Sequence, residues 1–434
     1  MARADSGRQG APSGWYATLP PPPPPRRLEG EVRADWAVIG AGFTGLAAAR
    51  RLAELAPNTQ VALIEASRIG HSTSGRNSGF VIDLPHYAEG ADAEARQRLW
   101  RLVRAGKDRL QALVKEHAIN CQWRDIGQIK VAVGDIGRGL IDGFCAEMAE
   151  LGARFERLDR DALEAILGSR YYAAALRMPS VALMQPVALL RGLAASLPEN
   201  VTLYEDTVVR GVRGAGPLVL DCDGGALTVG GLILASNAFT PRLGFLGRQV
   251  FPLGLHASLS RPLTEAESDA LGGERDWGVV PVSGFGATLR RTPDNRILFR
   301  ALVRHGGYGR LAGAEMDRAR AVHRAGIAAR FPMLRDLAIE HSWTGVICMT
   351  RDNRAVFGRV APGVFAAAGY NGVGIPRATA SGALIAEYAL GGETDPIRDV
   401  LSLADPTRLP PRPFLDLGAR VALAWRRWQQ RGER

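Results

Sequence analysis

Lysine is nearly missing from this 434-residue chain, which carries only Lys107, Lys115 and Lys130. Its formal charge of +10 therefore comes from arginine, and no basic run is interleaved with aromatics, so the charge reads as a solvated arginine-rich surface rather than a nucleic-acid patch. Cysteine is scarce as well. Cys121, Cys145, Cys222 and Cys348 stand far apart without a Cys-x-x-Cys pair, and the histidines do not cluster, so neither a metal site nor a disulfide framework is indicated. A reducing, cytoplasmic setting is expected. There is no apolar run of signal-peptide length at the N-terminus and none approaching the roughly eighteen residues of a membrane span, which argues against export and spanning. A hydrophobic content of 46% suits one compact enzyme with a large core and two interleaved domains.

What the chain does have is glycine in a telling place. Gly40-Ala41-Gly42-Phe43-Thr44-Gly45 lies between an apolar strand, Ala34 to Ile39, and a helical run with Leu46, Ala49, Leu52, Ala53 and Ala56 along one side. Gly40 permits the strand-to-helix turn, Gly42 lets the backbone approach a pyrophosphate, and Gly45 lets helix and strand pack closely. The phosphates would sit at the positive helix N-terminus. A second strand, Val61 to Ile64, ends in Glu65, placed to accept hydrogen bonds from an adenosine ribose, with Ala66 beside it. The complete unit marks a dinucleotide site and leaves NAD and FAD both open.

A second glycine-rich turn favours FAD. Val364 to Ala368 reads as a short strand running into Gly369-Tyr370-Asn371-Gly372-Val373-Gly374, with a helical pattern from Ala378 to Leu390. A second helix N-terminus can face a flavin ring and stabilise the negative charge that develops on reduction.

These turns, with the segment Gly75-Arg76-Asn77-Ser78-Gly79 downstream of Glu65, resemble the D-amino-acid oxidase superfamily of FAD-dependent oxidoreductases, nearest its γ-glutamylputrescine oxidase-like branch. The resemblance runs from Trp15-Tyr16 to about Gly391. It includes Trp343-Thr344-Gly345, then Thr350, Asp352 and Gly358, similar to the family stretch that precedes the flavin-facing turn. Ser78 replaces the family's more usual glycine. Asn371 and Val373 occupy the places where the family turn commonly has serine and histidine. The resemblance implies an α/β fold in which a Rossmann-like FAD-binding domain is interleaved with an antiparallel-sheet substrate domain. It implies cofactor contacts from Gly40, Gly42, Phe43, Thr44, Gly45, Glu65, Ala66, Ser74, Arg76, Asn77, Ser78, Val208, Ala235, Asn371, Gly372, Val373 and Gly374. Oxidation of an amine or amino acid to an imine, then hydrolysed to an aldehyde or oxo acid, is the implied activity.

The order of elements gives expected boundaries. Residues 1–33 form a lead-in whose Pro20 to Pro25 stretch is a surface polyproline II segment. The FAD domain takes 34–85, 150–244 and 341–395, and the substrate domain 86–149 and 245–340. Apolar periodicity predicts a helix within 86–118. Strands are expected at Gln128 to Val133 and Val201 to Tyr204, and hairpins at Leu218 to Leu227 and at Gly286 to Ala301, which turns at Pro293-Asp294-Asn295. Leu232 to Ala235, leading into Ser236-Asn237-Ala238, resembles the family strand that ends at the pyrophosphate. The tail 396–434 carries an amphipathic helix with Leu417, Val421, Ala424, Trp425 and Trp428 on one face, expected to dock on the protein in preference to an anionic membrane.

Substrate positioning matters most for a hydride transfer. An arginine fork suits a substrate carboxylate, and Arg290, Arg291, Arg296 and Arg300 all lie on the hairpin expected over the flavin. Arg300 is the first candidate and Arg290 the second. His256 is a candidate base or amine-orienting group. Cys348 and His71, which could anchor the flavin covalently as in some relatives, read as a core thiol and a misplaced histidine, so FAD is expected to be noncovalent. A flavin monooxygenase and a membrane-associated electron-relay subunit are the alternatives. The partners are a small amine or amino acid and an electron acceptor, either oxygen or a quinone or carrier. Relatives that react fast with oxygen often place a lysine beside the flavin. None of this chain's lysines falls in 245–340, which favours a dehydrogenase-like acceptor.

Overall fold

The structure, a computed structural model, describes residues 11–85, 91–284, 286–305 and 313–431. Parts of the expected lead-in, of the helical stretch from 86, of the 245–340 segment and of the tail lie outside the described residues.

A six-stranded sheet sits at the centre, in the order Val356–Ala361, Val364–Ala368, Gly231–Leu234, Trp36–Ile39, Val61–Ile64, Val201–Tyr204. All its pairs are parallel except that of the edge strand Val356–Ala361. Strict alternation divides its side chains between two cores. Val38, Leu63, Ile233 and Phe365 meet the helix Phe43–Leu55 through Leu46, Ala49 and Leu52. Ile39, Ile64, Leu234 and Ala366 face Leu220 and Leu227 of a four-stranded sheet on the other side. Burial on both faces is why these strands read as unbroken apolar runs. Each such leucine or isoleucine contributes roughly 1.5–3 kcal/mol when fully buried.

The helix Ile375–Ala389 lies against Phe43–Leu55 so closely that a Cβ on Gly382 would stand 2.2 Å from the Thr44 carbonyl oxygen. This second helix begins three residues before the expected Ala378, because Pro376 falls in its first turn, where a missing N–H costs nothing.

An eight-stranded sheet forms the other half, in the order Ile339–Met349, Phe251–Ser260, Ile297–His305, Thr288–Arg291, Trp277–Pro281, Gln128–Ala132, Ala174–Met178, Glu156–Leu158. It is antiparallel apart from the pairing of Trp277–Pro281 with Gln128–Ala132. The expected hairpin at 286–301 is present, with Asn295 in the left-handed region at φ +59° in its turn.

Pairing redraws several expected boundaries. Ala174–Met178 bonds to Gln128–Ala132, so the early part of the expected 150–244 FAD segment belongs to the eight-stranded sheet. Ile339–Met349 bonds to Phe251–Ser260 and moves the same way. Gly30–Arg33, expected in the lead-in, pairs with Gly225–Val229. The helix Ala93–Glu116, expected with the substrate part, lies against Ile375–Ala389, since Gly106 approaches the Pro376 carbonyl where a Cβ would come within 1.9 Å. These are long-range choices that local patterning does not carry.

Pro20 to Pro25 runs along the surface, held by Arg191 donating to the Pro20 carbonyl at 2.6 Å. The C-terminal helix Phe414–Gln429 does dock, but through the side that carries Leu415, Asp416, Ala419, Leu423 and Arg427; Leu417, Val421, Trp425 and Trp428, expected to face the protein, face solvent. Among the described residues no helix is long and apolar enough to cross a membrane.

Candidate functional site

Two clefts open at the carboxyl ends of the central parallel strands and share Gly42, Thr73, Ser74, Ala235 and Asn237, making one elongated trough. Ligands of open parallel sheets bind at this kind of switch point.

The first cleft is built from backbone. Gly40 has φ +101°, and a Cβ there would lie 2.9 Å from the Ala235 carbonyl oxygen. Gly42 is the N-cap of Phe43–Leu55 with no side-chain cap, so the first N–H groups of that helix are left for a ligand. A Cβ on Gly42 would reach Ser74 Oγ at 2.5 Å, across the mouth of the trough. Gly45 does not line the trough, and its task is contact, since a Cβ would stand 1.7 Å from the Gly40 carbonyl oxygen. Glu65 ends the next strand and lines the cleft with Ala66, Thr207 and Val208. It accepts from Ala41 N–H at 3.0 Å, Ser67 N–H at 3.2 Å and the Ser67 hydroxyl at 3.1 Å. Burial raises its pKa while those donors pull it down. An ionised carboxylate offers about four lone-pair positions, so one is left for a ribose hydroxyl.

The second cleft lies under the other turn. Gly369, Asn371 and Gly372 all have positive φ, at +81°, +55° and +85°. Gly374 caps Ile375–Ala389 without a side-chain bond, leaving a second set of free N–H groups aimed at the trough. Asn371, in the family's serine place, is a brace. Its Oδ1 accepts from Thr350 N–H at 2.8 Å and the Thr350 hydroxyl at 3.2 Å, and its Nδ2 donates to the Gly369 carbonyl at 2.7 Å. Val373 brings no proton-active group. The Tyr370 hydroxyl meets that of Thr44 at 2.9 Å and links the starts of the two helices. Asn237 Oδ1 accepts from Gly369 N–H at 2.9 Å and ties in a third strand end.

The Gly75-to-Gly79 segment forms one wall. Arg76 is buried and donates to the carbonyls of His71, Thr344 and Ala11, so it clamps backbone beside the trough as well as lining it; burial lowers its pKa to about 10. Trp15 Nε1 and Trp343 Nε1 donate to the carbonyls of Asn77 and Arg76 at 2.8 and 3.0 Å. Ser74, Asn77 and Ser78 are thereby held toward the second cleft.

The roof is a set of side chains from the eight-stranded sheet. Arg300 lines it beside Thr288, to whose hydroxyl it donates, and burial lowers its pKa to about 10. Among the described residues Arg300 has no carboxylate partner, and no Asp or Glu lines this cleft. Phe80, Ile82, Leu255, Ala257 and Val280 make the walls apolar.

The other candidates lie elsewhere. Arg290 shares the face of Arg300 but sits one step further along the hairpin, fully buried, donating to the Met184 carbonyl and lying over the Trp15 ring at 5.5 Å. It lines neither cleft. Arg291 clamps the Gly272 and Glu274 carbonyls, and Arg296 pairs with Asp294 and Glu340. His256 is on the opposite face, because Leu255 and Ala257 take the cleft and strand alternation sends the residue between them away. Burial and Arg304 lower its pKa to about 4, so it is neutral at physiological pH. His71 lines neither cleft and packs edge-on against Tyr16. Cys348 reaches the second cleft from a buried strand, and burial pushes its thiol to about 12. None of the lysines lines either cleft.

Of the expected cofactor residues, all but Gly45 line the trough. Sequence reasoning missed Thr73, Asn237, Tyr370 and Thr288. Asn237 and Tyr370 stood directly after recognised strands; Thr288 carried no local signal.

The trough fits FAD: two uncapped helix N-termini, a carboxylate at the ribose position and a pair of clefts joined through shared lining residues. The chain matches the family of FAD dependent oxidoreductases designated DAO over residues 35–388. It is 29% identical to the probable oxidoreductase OrdL of Rhizobium meliloti (strain 1021), covering 88% of this chain and 89% of that one. It is 27% identical to the gamma-glutamylputrescine oxidoreductase of Escherichia coli (strain K12), covering 84% and 85%. Glycine oxidase from Geobacillus kaustophilus superposes with a TM-score of 0.71 at 22% identity, covering 84% of this chain and 96% of that one, and shares the fold. The chain belongs to the DAO family and is an FAD-dependent oxidoreductase.

Proposed function

We propose, from family membership as the premise, that this enzyme oxidises the C–N bond of a carboxylate-bearing amine or amino acid to an imine, which water hydrolyses to an aldehyde or oxo acid. The observation that carries this reading is Arg300, a half-buried guanidinium on the roof of a largely apolar cleft, with no acidic partner and no acid in the cleft lining among the described residues. Such a group is costly to bury unless a substrate anion completes it, and a planar carboxylate is its best match. Names among the relatives, a gamma-glutamylputrescine oxidoreductase and glycine oxidases, agree with an amine or amino acid.

When bound, FAD supplies the hydride acceptor at its N5 position. The chain's residues orient and exclude water. Arg300 and Thr288 hold the carboxylate, while Phe80, Ile82, Leu255 and Val280 surround the carbon being oxidised. Gly42 to Thr44 and Glu65 would hold the pyrophosphate and ribose, and the helix N-terminus that follows Gly374 would face the ring and favour negative charge there. Among the described residues no proton-accepting side chain with an ordinary pKa faces the cleft: His256 points away, and the buried Tyr370 hydroxyl has its pKa raised and is engaged by Thr44. The substrate amine must therefore be neutral on its own account. Apolar walls and the nearby Arg300 charge both favour the neutral amine. kcat/KM should rise with pH as the substrate ammonium deprotonates.

The electron acceptor follows from the same inventory. Among the described residues no ammonium or imidazolium lines the clefts, since no lysine does and His256 is uncharged, so neither stands ready to stabilise superoxide. A quinone or carrier protein is the proposed oxidant and the cytoplasmic side the proposed location. An anaerobic screen of amines and amino acids for flavin bleaching tests the substrate reading. Stopped-flow mixing of the reduced enzyme with air-saturated buffer tests the acceptor: reoxidation as fast as turnover, with stoichiometric hydrogen peroxide, would establish an oxidase.

A further inference from the structure

We propose that the C-terminal helix is a peripheral anchor that lays this protein on a membrane surface rich in anionic lipid, an inference that rests on no part of the catalytic reading. In the helix Phe414–Gln429, the residues Phe414, Leu417, Val421, Trp425 and Trp428 recur at steps of three and four, which at 100° per residue confines them to one narrow stripe. A surface helix normally turns such a stripe to the core. Here it points outward, with exposures of 67, 64, 60, 56 and 56% along the stripe.

The orientation is fixed from the other side. Asp416 accepts from His305 at 2.9 Å, the Arg427 guanidinium donates to the Val303 carbonyl, and Leu415, Ala419 and Leu423 are half-buried beneath. Rolling the apolar stripe inward would break both polar ties. The anchor strand, Ile297–His305, is also the one that carries Arg300 over the cleft.

Charge selects the occupant. Arg420 lies beside the stripe at 100° per residue, Arg426 is exposed in the helix's last turn, and Arg431, exposed just past the helix end, lies over the Trp428 ring at 5.6 Å. The helix has a single acid, Asp416, and it is turned inward to His305. Trp425 and Trp428 stack at 5.1 Å, a pair of amphipathic rings suited to the headgroup level. An anionic lipid surface satisfies the arginines and takes up the stripe together. A second copy of this +10 chain would instead bring arginine against arginine around the same stripe.

The test uses the full-length, FAD-loaded protein in flotation with phosphatidylcholine vesicles, with and without phosphatidylglycerol. The protein should float with the anionic vesicles and stay behind with the neutral ones, with a blue shift of tryptophan emission on binding. Raising salt from about 0.1 to 1 M, which shortens the screening length from about 10 to 3 Å, should weaken the association. The double variant Trp425→Glu, Trp428→Glu should lose at least tenfold in vesicle partitioning while keeping its flavin content, melting temperature and turnover with a soluble dye acceptor. No flotation, equal flotation on neutral vesicles, or an unaffected double variant would overturn the proposal. So would self-association that the double variant abolishes in a protein that binds no vesicles. Failure to oxidise amines would instead count against the catalytic reading and leave this one standing.

Discussion

The floor and the roof of the trough are made in opposite ways. The floor presents backbone: N–H groups of two uncapped helix starts, with glycines wherever a Cβ would collide. The roof presents side chains of an antiparallel sheet, where only alternate residues at the right distance along each strand reach the cleft. A backbone site tolerates almost no substitution and looks alike across many enzymes. A side-chain roof can be changed one residue at a time, so selectivity belongs there.

Predictions that strain this contrast begin with the floor. Gly45→Val should abolish flavin retention and lower the melting temperature sharply, since even its Cβ would lie 1.7 Å from the Gly40 carbonyl oxygen and backbone must move. Flavin absorbance after gel filtration reads this out, and a yellow, stable variant would mean that the helix and strand do not meet as described. Arg300→Ala should retain FAD and lower kcat/KM on a carboxylated substrate by about 2–3 kcal/mol, roughly 30- to 150-fold, the loss of a charge-assisted bond. Arg290→Met, by contrast, should move the melting temperature and leave selectivity for the carboxylate intact. Asn371→Ala should cost about 1–3 kcal/mol and loosen FAD, because it removes the brace between Thr350 and the flavin-facing turn and leaves buried donors unpaired.

A pH-dependent effect on stability concerns the buried histidine pair behind the roof. Burial holds His256 and His323 at about 4 in the fold, against about 6.5 when exposed, and Arg304, Arg300 and the histidines' mutual repulsion push the same way. The unfolded chain thus takes up protons first as pH falls. Stability is complete above about pH 6.5 and lost toward pH 4, by up to roughly 3 kcal/mol per histidine. Melting curves from pH 7.5 to 5 should show the decline, and His256→Leu should flatten it.

The same contrast explains how much was legible in the sequence. Gly40, Gly42, Gly45 and Glu65 announced themselves because strand, turn and helix are contiguous and their spacing is dictated by the ligand's backbone contacts. The second turn is visible for the same reason, although its helix starts at Ile375, three residues before the expected Ala378, with Pro376 in the first turn. The roof was not legible in that way. Arg290 and Arg300 look equivalent on one hairpin, and only their cross-strand partners, Leu298 for Arg290 and Thr288 for Arg300, show which reaches the cleft. His256 was lost to alternation, since no local signal says which face of Phe251–Ser260 meets the flavin. The pairing of Ala174–Met178, inside the expected 150–244 FAD segment, with Gln128–Ala132 has no local signal because pairing is a long-range choice.

One measurement bears most directly on the claim that Arg300 makes this an oxidoreductase of carboxylate-bearing amines. The best substrate from the screen and its analogue lacking the carboxylate would be mixed anaerobically with the wild-type enzyme and with Arg300→Ala, and the rate of flavin bleaching followed. The account predicts that the wild-type enzyme is reduced at least about 30-fold faster, per unit concentration, by the carboxylated partner, and that Arg300→Ala closes most of that gap while remaining yellow. Equal rates with the wild-type enzyme, or a preference that survives Arg300→Ala, would contradict it.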